Sequence, residues 1–356
     1  MAGAARISTS SPVISRKCGE GVGFLDKTAR EAYSEAVLQE VLRRFGAEPG
    51  SIKALNGFES FIYEYTRNGQ ELVLRVTHSG RRSPAEIEGE IDWLNYLTDR
   101  DVPAARAVPS MNGNFVEVVP GANGFSFLAA SFVKAAGGSA RRPEIWNTTL
   151  FREMGRIMGR MHRLTKAYQP RNPSLKRPYI EIDFDGMERF IPASETIVLE
   201  KAGAIRERLR HLPKDINSYG LIHFDFHRGN FFVDEGRITL FDFDDCLYGW
   251  FAADIAISLF YAVPHHCESK EDLDNAARFM DYFMEGYRME NMISSQWMRA
   301  IPLFLKQREI DLYAVVHRSM DVNNLDQWGT SYMTRRKWKI ENDIPFVNLD
   351  FAQWGC

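Results

Sequence analysis

The sequence predicts an α+β fold with a small N-terminal part built on an antiparallel sheet and a larger, mainly helical C-terminal part. Three patterns predict it. Residues 61–67 and 71–77 alternate between apolar and polar side chains on either side of Asn68-Gly69, which is typical of a tight β-hairpin. After residue 138, apolar residues recur mainly at helical spacing. One compact β-like block, residues 221–243, interrupts the helical part.

The first 135 residues divide into an arm and a lobe. Residues 1–26 are rich in Ser and Gly and lack apolar periodicity, so we expect a loose N-terminal arm. The lobe is predicted to span residues 27–135. It is expected to begin with a helix that ends at Gly46, because apolar residues recur at helical spacing up to that glycine.

The remaining elements of the N-terminal lobe follow in order. Ser83-Pro84-Ala85-Glu86 supplies an N-cap, a proline at the first helical position and a capping-box glutamate, which predicts a helix from Pro84. A second hairpin is predicted to turn at Asn112-Gly113. A further strand is predicted at 125–133.

Residues 136–356 form the predicted helical C-terminal lobe. Apolar side chains recur there at helical spacing in four stretches, at 150–164, 193–212, 271–290 and 296–320. No internal repeat is visible.

Composition excludes several classes of protein. The 356 residues include 44 Lys+Arg against 47 Asp+Glu, so electrostatic binding to nucleic acid or to an acidic membrane is not expected. No apolar run approaches the ~18–20 residues that span a bilayer. The four cysteines lie far apart and form no metal-ligand spacing, which predicts reduced thiols in the cytoplasm. We expect a soluble enzyme that is a monomer or a homodimer.

The segment 221–256 holds the side chains that narrow the chemistry most. Asp225 is followed five residues later by Asn230, and two short apolar runs then lead to Asp242. Phosphoryl transfer needs a divalent metal on hard oxygen ligands and a separate carboxylate that accepts or orients the proton of the acceptor hydroxyl. These three residues meet both needs.

The order His223-x-Asp225, Asn230, a short hairpin, Asp242 and then Asp254-Ile-Ala resembles the catalytic centre of the aminoglycoside phosphotransferase–choline kinase family. The resemblance covers about residues 50–320 and implies a protein-kinase-like fold of two lobes. It also implies a small-molecule kinase that uses Mg²⁺ and takes its phosphoryl group from ATP or GTP.

The same resemblance assigns roles to these residues. It implies that Asp225 is the catalytic base and that Asn230 and Asp242 bind magnesium. His223 would structure the catalytic loop, and Asp254 would brace that loop from the following helix.

The resemblance extends to nucleotide binding by the N-terminal lobe. In such kinases a turn covers the phosphates, a basic residue on the third strand contacts them and pairs with a helical glutamate, and a hinge binds the base. The residues so assigned are Gly57 and Ser60 of the turn, Arg75, Glu90 (with Glu86 as the alternative partner), and Phe132 and Lys134 of the hinge. The sequence departs from the family in having one glycine in the turn and Arg75 where Lys is more usual.

The acceptor is the least constrained part of the prediction. Asp244, Asp245 and Glu309 are candidate acceptor contacts, and with the acidic residues of 181–185 they favour a cationic acceptor such as an aminoglycoside or amino alcohol. Asp244 and Asp245 could equally bind a second metal or form a solvated turn. His223 and His227 could together hold a transition metal.

Three functions compete at this stage. The first is the small-molecule kinase. The second is a protein kinase, which the short interval between Asp242 and Asp254 and the lack of an A-P-E signature disfavour. The third is a catalytically impaired, nucleotide-binding interaction protein, and its support is Arg75 and the turn with a single glycine.

Overall fold

A computed structural model describes residues 27–57, 59–122 and 124–356, so the predicted arm lies outside the described residues. The N-terminal part holds three helices and six strands within that range: α1 (Lys27–Ala32), α2 (Glu35–Phe45), β1 (Lys53–Leu55), β2 (Phe61–Arg67), β3 (Gln70–His78), α3 (Pro84–Thr98), β4 (Ala107–Val108), β5 (Glu117–Pro120) and β6 (Ser126–Val133). The strands form one antiparallel sheet in the order β1-β2-β3-β6-β4, with β5 also paired to β6.

The hairpin between β2 and β3 is confirmed. Asn68 and Gly69 have φ angles of 51° and 74°, as a two-residue turn requires, and Tyr63 pairs with Leu74. Leu74 and Val76 are fully buried, and strand alternation places Arg75 on the opposite face of the sheet. The hairpin therefore fixes where the basic side chain points relative to the core.

The predicted first helix is divided in two. Ser34 adopts an extended conformation and its hydroxyl accepts a hydrogen bond from the Val37 amide, so it caps a new helix, α2. Gly46 ends α2 with a φ of 67°, as predicted. The capping box between Ser83 and Glu86 at the start of α3 is also confirmed.

The predicted second hairpin is wrong in its pairing. The chain does turn at Gly113, but β4 and β5 both pair with β6 and not with each other. The buried carboxylate of Glu117 explains the difference, because it accepts hydrogen bonds from the Ser110 hydroxyl and from the side-chain amides of Asn112 and Asn114. These side-chain bonds, together with the backbone bond from the Ser110 amide to the Asn114 carbonyl at 2.8 Å, hold the loop without a ladder between β4 and β5.

The C-terminal part consists mainly of helices and has five short strands among the described residues. In chain order its helices and strands are β7 (Gly138–Ser139), α4 (Thr148–Thr165), α5 (Ile180–Met187), α6 (Thr196–His211), β8 (Tyr219–Ile222), β9 (Phe231–Asp234), β10 (Arg237–Leu240), β11 (Leu247–Trp250), α7 (Phe251–Ala262), α8 (Lys270–Arg288), α9 (Ser295–Met298), α10 (Ile301–Ser319), α11 (Gln327–Met333) and α12 (Arg336–Glu341). The helices predicted at 150–164, 193–212 and 271–290 are confirmed to within a few residues as α4, α6 and α8. The stretch predicted at 296–320 is divided into α9 and α10. No helix in the described ranges is long and apolar enough to cross a bilayer.

Two contacts position the elements that surround the site. The amide of Ala105, in the segment between α3 and β4, donates to the Leu240 carbonyl at the end of β10, which ties the N-terminal part to the β9–β10 hairpin. Helices α4 and α8 pack with their backbones in contact, since a Cβ on Gly155 would lie 1.8 Å from the Phe283 carbonyl oxygen. This close packing brings the polar residues near the ends of the two helices within hydrogen-bonding distance.

Candidate active site

Short strands bring the predicted catalytic residues to one end of a hairpin. Strand β8 leads into the loop 223–230, and β9 and β10 then pair antiparallel with Phe231 opposite Leu240. The Phe241 amide donates to the Asn230 carbonyl at 2.9 Å, which extends the pairing by one residue. Asn230 and Asp242 therefore lie at the same end of the hairpin, beside the loop that carries Asp225.

Asp225 is held by three donors. Its Oδ2 accepts from Asn230 Nδ2 at 2.7 Å and lies 3.3 Å from His227 Nε2, and its Oδ1 accepts from Arg308 Nη2 at 2.9 Å. Burial raises the pKa of Asp225, but His227 and Arg308 outweigh burial and hold that pKa below its usual range. The group is a fixed carboxylate, suited to orient a hydroxyl group and to receive its proton late in the reaction.

Arg308 reaches this carboxylate from α10. The same nitrogen, Nη2, donates to the Tyr261 hydroxyl at 2.8 Å, and the guanidinium lies 5.7 Å from the centre of the Phe224 ring. Arg308 directly precedes Glu309 on this helix, and the sequence pattern alone does not connect it with Asp225. In the structure its guanidinium forms an ion pair with Asp225.

Asp254 braces the loop as the resemblance implied. Its carboxylate accepts the backbone amides of His223 at 3.1 Å and Phe224 at 2.8 Å. Phe224 has a φ of 65°, which is costly for a residue with a Cβ, so these bonds hold a strained turn immediately before Asp225.

The alternative of a metal held by His223 and His227 finds no support in the geometry. His223 Nδ1 accepts the Asp225 amide at 3.2 Å, and His227 Nδ1 accepts the Gly229 amide at 2.9 Å. Each imidazole thus uses one ring nitrogen to shape the loop. His223 is fully buried, and burial lowers its pKa, so it is a neutral structural residue.

Asp242 and Asn230 fit a divalent cation. The Asp242 side chain is 54% exposed, yet the surrounding protein desolvates it and Asp244 adds negative charge, which together raise the pKa of Asp242 to about 7. The protein offsets too little of the negative charge on this carboxylate, so a bound cation would stabilise its ionised form. Asn230 donates both of its side-chain hydrogen bonds to Asp225 through Nδ2, so its amide oxygen is not engaged by them.

The predicted ion pair between Arg75 and Glu90 is confirmed as a buried, bidentate contact. Arg75 Nη1 and Nη2 donate to the two carboxylate oxygens of Glu90 at 2.9 and 2.5 Å. Arg75 Nη1 also lies 4.0 Å from Asp242, and its guanidinium lies 5.2 Å from the centre of the Phe132 ring. The N-terminal sheet thus places the Arg75 guanidinium directly over Asp242, the predicted metal ligand. Glu86, the alternative partner, caps α3 instead.

The other predicted nucleotide contacts discussed here lie in the turn before β2 and in the segment just after β6. A Cβ on Gly57 would lie 2.0 Å from the Ser60 carbonyl oxygen, so only glycine fits this turn. The Ser60 hydroxyl bonds the Thr77 hydroxyl at 2.9 Å and tightens the turn against β3. The Lys134 ammonium pairs with Glu64 and Glu71, so any hinge contact of Lys134 would be made by its backbone.

Asp244 and Asp245 lie against arginines. Asp244 is buried and forms ion pairs with Arg81 and Arg82, and Asp245 accepts from Arg82 Nη2 at 2.7 Å. Burial raises the pKa of Asp244, but Arg81 and its neighbours overcome burial and hold the pKa well below its usual range. These ion pairs fasten the turn after β3 to the segment that follows Asp242, and the Asp245 side chain stays 45% exposed.

Glu309 was predicted as a possible acceptor contact, and the structure does not support that role. Its side chain is fully buried, and its carboxylate lies 2.5 Å from both Arg336 Nη1 and Lys306 Nζ. A carboxylate enclosed between two cations is a structural ion pair of the helical core. It faces away from solution and leaves no oxygen accessible to an acceptor.

Arg177 is a further buried cation that the sequence pattern did not single out. Its guanidinium donates to the carbonyl oxygens of Cys246 at 2.8 Å, Glu86 at 2.6 Å and Asp244 at 2.5 Å. It therefore joins the start of α3 to the segment after Asp242.

Arg177→Met is expected to lower the free energy of unfolding by about 2–4 kcal/mol, because it leaves three buried carbonyl groups without their donor. Urea denaturation measures the effect. Lys176→Met, at the exposed neighbouring position, serves as the control and should change stability by less than about 1 kcal/mol. Equal, small effects in both variants would contradict the structural role of Arg177.

Comparison with known sequences places this site among phosphotransferases. Residues 51–289 match the family described as "Phosphotransferase enzyme family". Amicoumacin kinase of Bacillus subtilis (strain 168) is 37% identical over 324 residues, which cover 90% of this chain and 96% of that protein. An uncharacterised protein of Synechocystis sp. is 28% identical over 287 residues, covering 78% of this chain and 76% of the relative.

Solved structures agree. An amicoumacin kinase in complex with AMP-PNP, Ca²⁺ and Ami superposes with a TM-score of 0.87 at 34% identity, covering 92% of this chain and 99% of that one. A microcompartment-associated aminopropanol kinase has a TM-score of 0.69 at 22% identity, with 86% and 95% covered. A choline kinase from Streptococcus pneumoniae has a TM-score of 0.58 at 13% identity, with 86% and 98% covered, and likeness at these last two identities concerns the fold alone. The predicted protein-kinase-like fold is confirmed.

Proposed function

The chain belongs to the phosphotransferase enzyme family and is a small-molecule kinase that phosphorylates a hydroxyl group, and we propose that its acceptor is amicoumacin or a close structural analogue. The main support for the proposed reaction is that Asp225, Asn230 and Asp242 come together at one end of a hairpin, beneath the Arg75–Glu90 pair. The acceptor is supported by the 37% identity to an amicoumacin kinase over 90% of the chain.

In the proposed reaction, Asp225 accepts a hydrogen bond from the acceptor hydroxyl while His227 and Arg308 keep the carboxylate in place. A bond forms between the acceptor oxygen and the γ-phosphorus as the bond to the bridging oxygen of the nucleoside diphosphate breaks, and the hydroxyl proton passes to Asp225. Arg75 stabilises negative charge on the phosphates. The rate gain would come from positioning and from fixed charges.

We propose that Asn230 and Asp242 hold Mg²⁺, which when bound would neutralise charge on the phosphate oxygens. Both are hard oxygen donors at the same end of the hairpin, and Asp242 is open to solvent on more than half of its side-chain surface. The donor would be ATP or GTP. Consumption of a nucleoside triphosphate and the free thiols of Cys246, Cys267 and Cys356 support a cytoplasmic location.

The charged groups described above do not support selection of a cationic acceptor. Three of the carboxylates considered for that role are each paired with basic side chains: Asp244, Asp245 and Glu309. Beside Asp225 the structure places the cation of Arg308 and the hydroxyl of Tyr261. A guanidinium and a phenol hydroxyl therefore lie beside the position proposed for the reacting hydroxyl.

An acceptor screen tests the proposal. The purified protein is incubated with Mg²⁺ and ATP or GTP, together with amicoumacin, aminopropanol, choline or an aminoglycoside, and phosphorylated product is measured by mass spectrometry. We expect product with amicoumacin at the highest kcat/KM. Product with an amino alcohol alone would overturn the acceptor but not the reaction, and nucleotide binding without any product would favour the impaired, interaction-only alternative.

The pKa of Asp242 yields a prediction for the ligand-free protein. Because this pKa is raised in the folded state, folding favours the protonated form, and that stabilisation is lost as pH rises through about 7. Asp242→Asn removes the penalty. The variant should therefore gain thermal stability over the parent above pH 7, by on the order of 1 kcal/mol after allowance for solvent screening of a half-exposed group.

Thermal unfolding between pH 5.5 and 8.5, without metal or nucleotide, measures this difference. Asp234→Asn, on the exposed side of the same hairpin, should show no pH-dependent difference from the parent. A constant difference between Asp242→Asn and the parent across that range would contradict the raised pKa.

A further inference from the structure

An ion pair joins the two parts of the molecule at the turn between β1 and β2. The Glu59 carboxylate in that turn pairs with Arg318, which lies in the last turn of α10. Only 21% of the Glu59 side chain and 30% of the Arg318 side chain are exposed. The sequence pattern alone does not connect these residues, because they are 259 positions apart.

Glu59 is held from two sides. Its Oε1 pairs with Arg318 Nη2, and its Oε2 accepts from Arg81 Nε at 2.7 Å. Arg81 also forms an ion pair with Asp244, two residues after the predicted metal ligand Asp242. Burial raises the pKa of Glu59, but Arg81 and Arg318 outweigh burial and lower that pKa. The turn is therefore linked to the C-terminal part directly through Arg318 and indirectly through Arg81.

Arg318 is itself positioned by the C-terminal part. Its guanidinium lies 5.8 Å from the centre of the Phe190 ring, and its Nε donates to the Ser319 hydroxyl at 3.0 Å. Phe190 belongs to the segment after α5. The arginine thus contacts one part of the molecule with its ring-facing side while Nη2 reaches the turn of the other.

Helix α10 contacts the site at two places. Arg308 of this helix pairs with Asp225, and Arg318 pairs with Glu59. Since an α-helix rises ~1.5 Å per residue, the two arginines are about 15 Å apart along its axis. One helix therefore connects the proposed catalytic carboxylate with the turn that the family resemblance assigns to the nucleotide phosphates.

We propose that Arg318 is a positioning residue of the nucleotide site, which acts through Glu59 to hold the turn between β1 and β2 in place over the phosphates. The inference rests on the proposed kinase function and on the assignment of this turn to the phosphates. Because the ion pair fixes the turn before the nucleotide binds, the complex forms with a smaller loss of conformational entropy. Removal of the pair should weaken nucleotide binding and leave acceptor binding unchanged.

Arg318→Gln removes the charge and keeps a polar side chain. We expect the Kd for AMP-PNP with Mg²⁺, measured by calorimetric titration, to rise about 3- to 10-fold, with an equal rise in KM for ATP. KM for the acceptor should stay within about twofold. Arg318→Lys keeps the charge and should recover part of the lost affinity. An equal rise in KM for both substrates would contradict a role confined to the nucleotide.

A double-mutant cycle shows whether Arg318 acts through Glu59. Glu59→Gln alone should also weaken AMP-PNP binding. Adding Arg318→Gln to that variant should cause little further loss, because the partner of the arginine is already absent. Fully additive losses in the double variant would overturn the proposed link.

Amide hydrogen exchange provides a measurement that needs no ligand. In the ligand-free protein, the amides of Glu59 and Ser60 should exchange faster in Arg318→Gln than in the parent, because the turn has lost a contact that restrains it. Exchange at the parent rate would show that the ion pair does not hold the turn, and the proposal would fail.

Arg152→Gln is the control for general destabilisation. Arg152 Nε and Nη2 donate to the Glu285 carboxylate at 2.8 and 2.9 Å, in an ion pair between α4 and α8 that lies within the C-terminal part. This variant also loses a two-residue ion pair, but it should bind AMP-PNP as the parent does. A loss of affinity equal to that of Arg318→Gln would indicate a general effect and would overturn the proposal.

Failure of the proposed function would give a different result. If the parent binds AMP-PNP but phosphorylates none of the acceptors, the proposed reaction is wrong, while the measured affinities still test Arg318. If the parent phosphorylates an acceptor and Arg318→Gln binds AMP-PNP as tightly as the parent, only the role of Arg318 is wrong.

Discussion

Asp225→Asn is expected to lower kcat by about 10²- to 10⁴-fold, the range that a general base typically contributes. The amide cannot accept the acceptor proton, and Arg308 loses the anion with which it pairs at 2.9 Å. Affinity for the nucleotide should stay within about twofold, because the Arg75–Glu90 pair, which is proposed to lie against the phosphates, does not involve Asp225.

Steady-state kinetics and calorimetric titration of the nucleotide measure these two quantities. Asp234→Asn is the matched control, since it makes the same change at a half-exposed position of the β9–β10 hairpin, which follows the loop that carries Asp225. That control should retain parent turnover. A parent-like kcat in Asp225→Asn, or a loss of nucleotide affinity equal to the loss in kcat, would contradict the role assigned to Asp225.

Asp242→Asn is expected to weaken both binding and turnover. The substitution removes the charged oxygen ligand proposed for the cation, so affinity for the metal–nucleotide complex should fall about 10- to 100-fold and kcat by at least a similar factor. Raising the Mg²⁺ concentration should restore part of the activity in this variant and none in Asp225→Asn.

The contrast between the two variants is informative because their environments differ. Three donors hold Asp225 as an anion. Asp242, by contrast, has the Arg75 guanidinium at the longer distance of 4.0 Å, and its pKa is raised. The protein therefore offsets the negative charge of Asp225 but not that of Asp242. If both variants lost nucleotide affinity to the same degree, this division of roles would be wrong.

The chemistry of the site could be predicted because it is local in sequence. Asp225, Asn230 and Asp242 lie within one loop and hairpin, so their order and spacing carry the information. The Arg75–Glu90 pair was predicted from the family resemblance, with Glu86 as the alternative partner, and the structure shows that β3 leads through a capping box into the helix that carries Glu90.

Other parts of the site depend on contacts between distant segments. Arg308 is 83 positions from Asp225, and Arg81 is 163 positions from Asp244. No local periodicity signals such pairs. The same reason explains Glu309, whose charge suggested an acceptor contact but whose partner Arg336 comes from a separate helix.

Errors in the fold have a related origin. Asn112-Gly113 signals a turn, but it does not specify which strand the flanking residues pair with, and β6 takes both. In the same way, apolar spacing continued through residues 27–45 while the side chain of Ser34 started a new helix. Tertiary contacts and side-chain caps decided both cases.

The most direct test of the proposed mechanism is a crystal structure of the enzyme with AMP-PNP and Mg²⁺. We predict one cation bound by oxygen atoms of Asn230 and Asp242 at about 2.0–2.1 Å, with Asp225 outside its coordination sphere and open to an acceptor hydroxyl. A cation coordinated by Asp225, or one bound to neither Asn230 nor Asp242, would contradict the assignment.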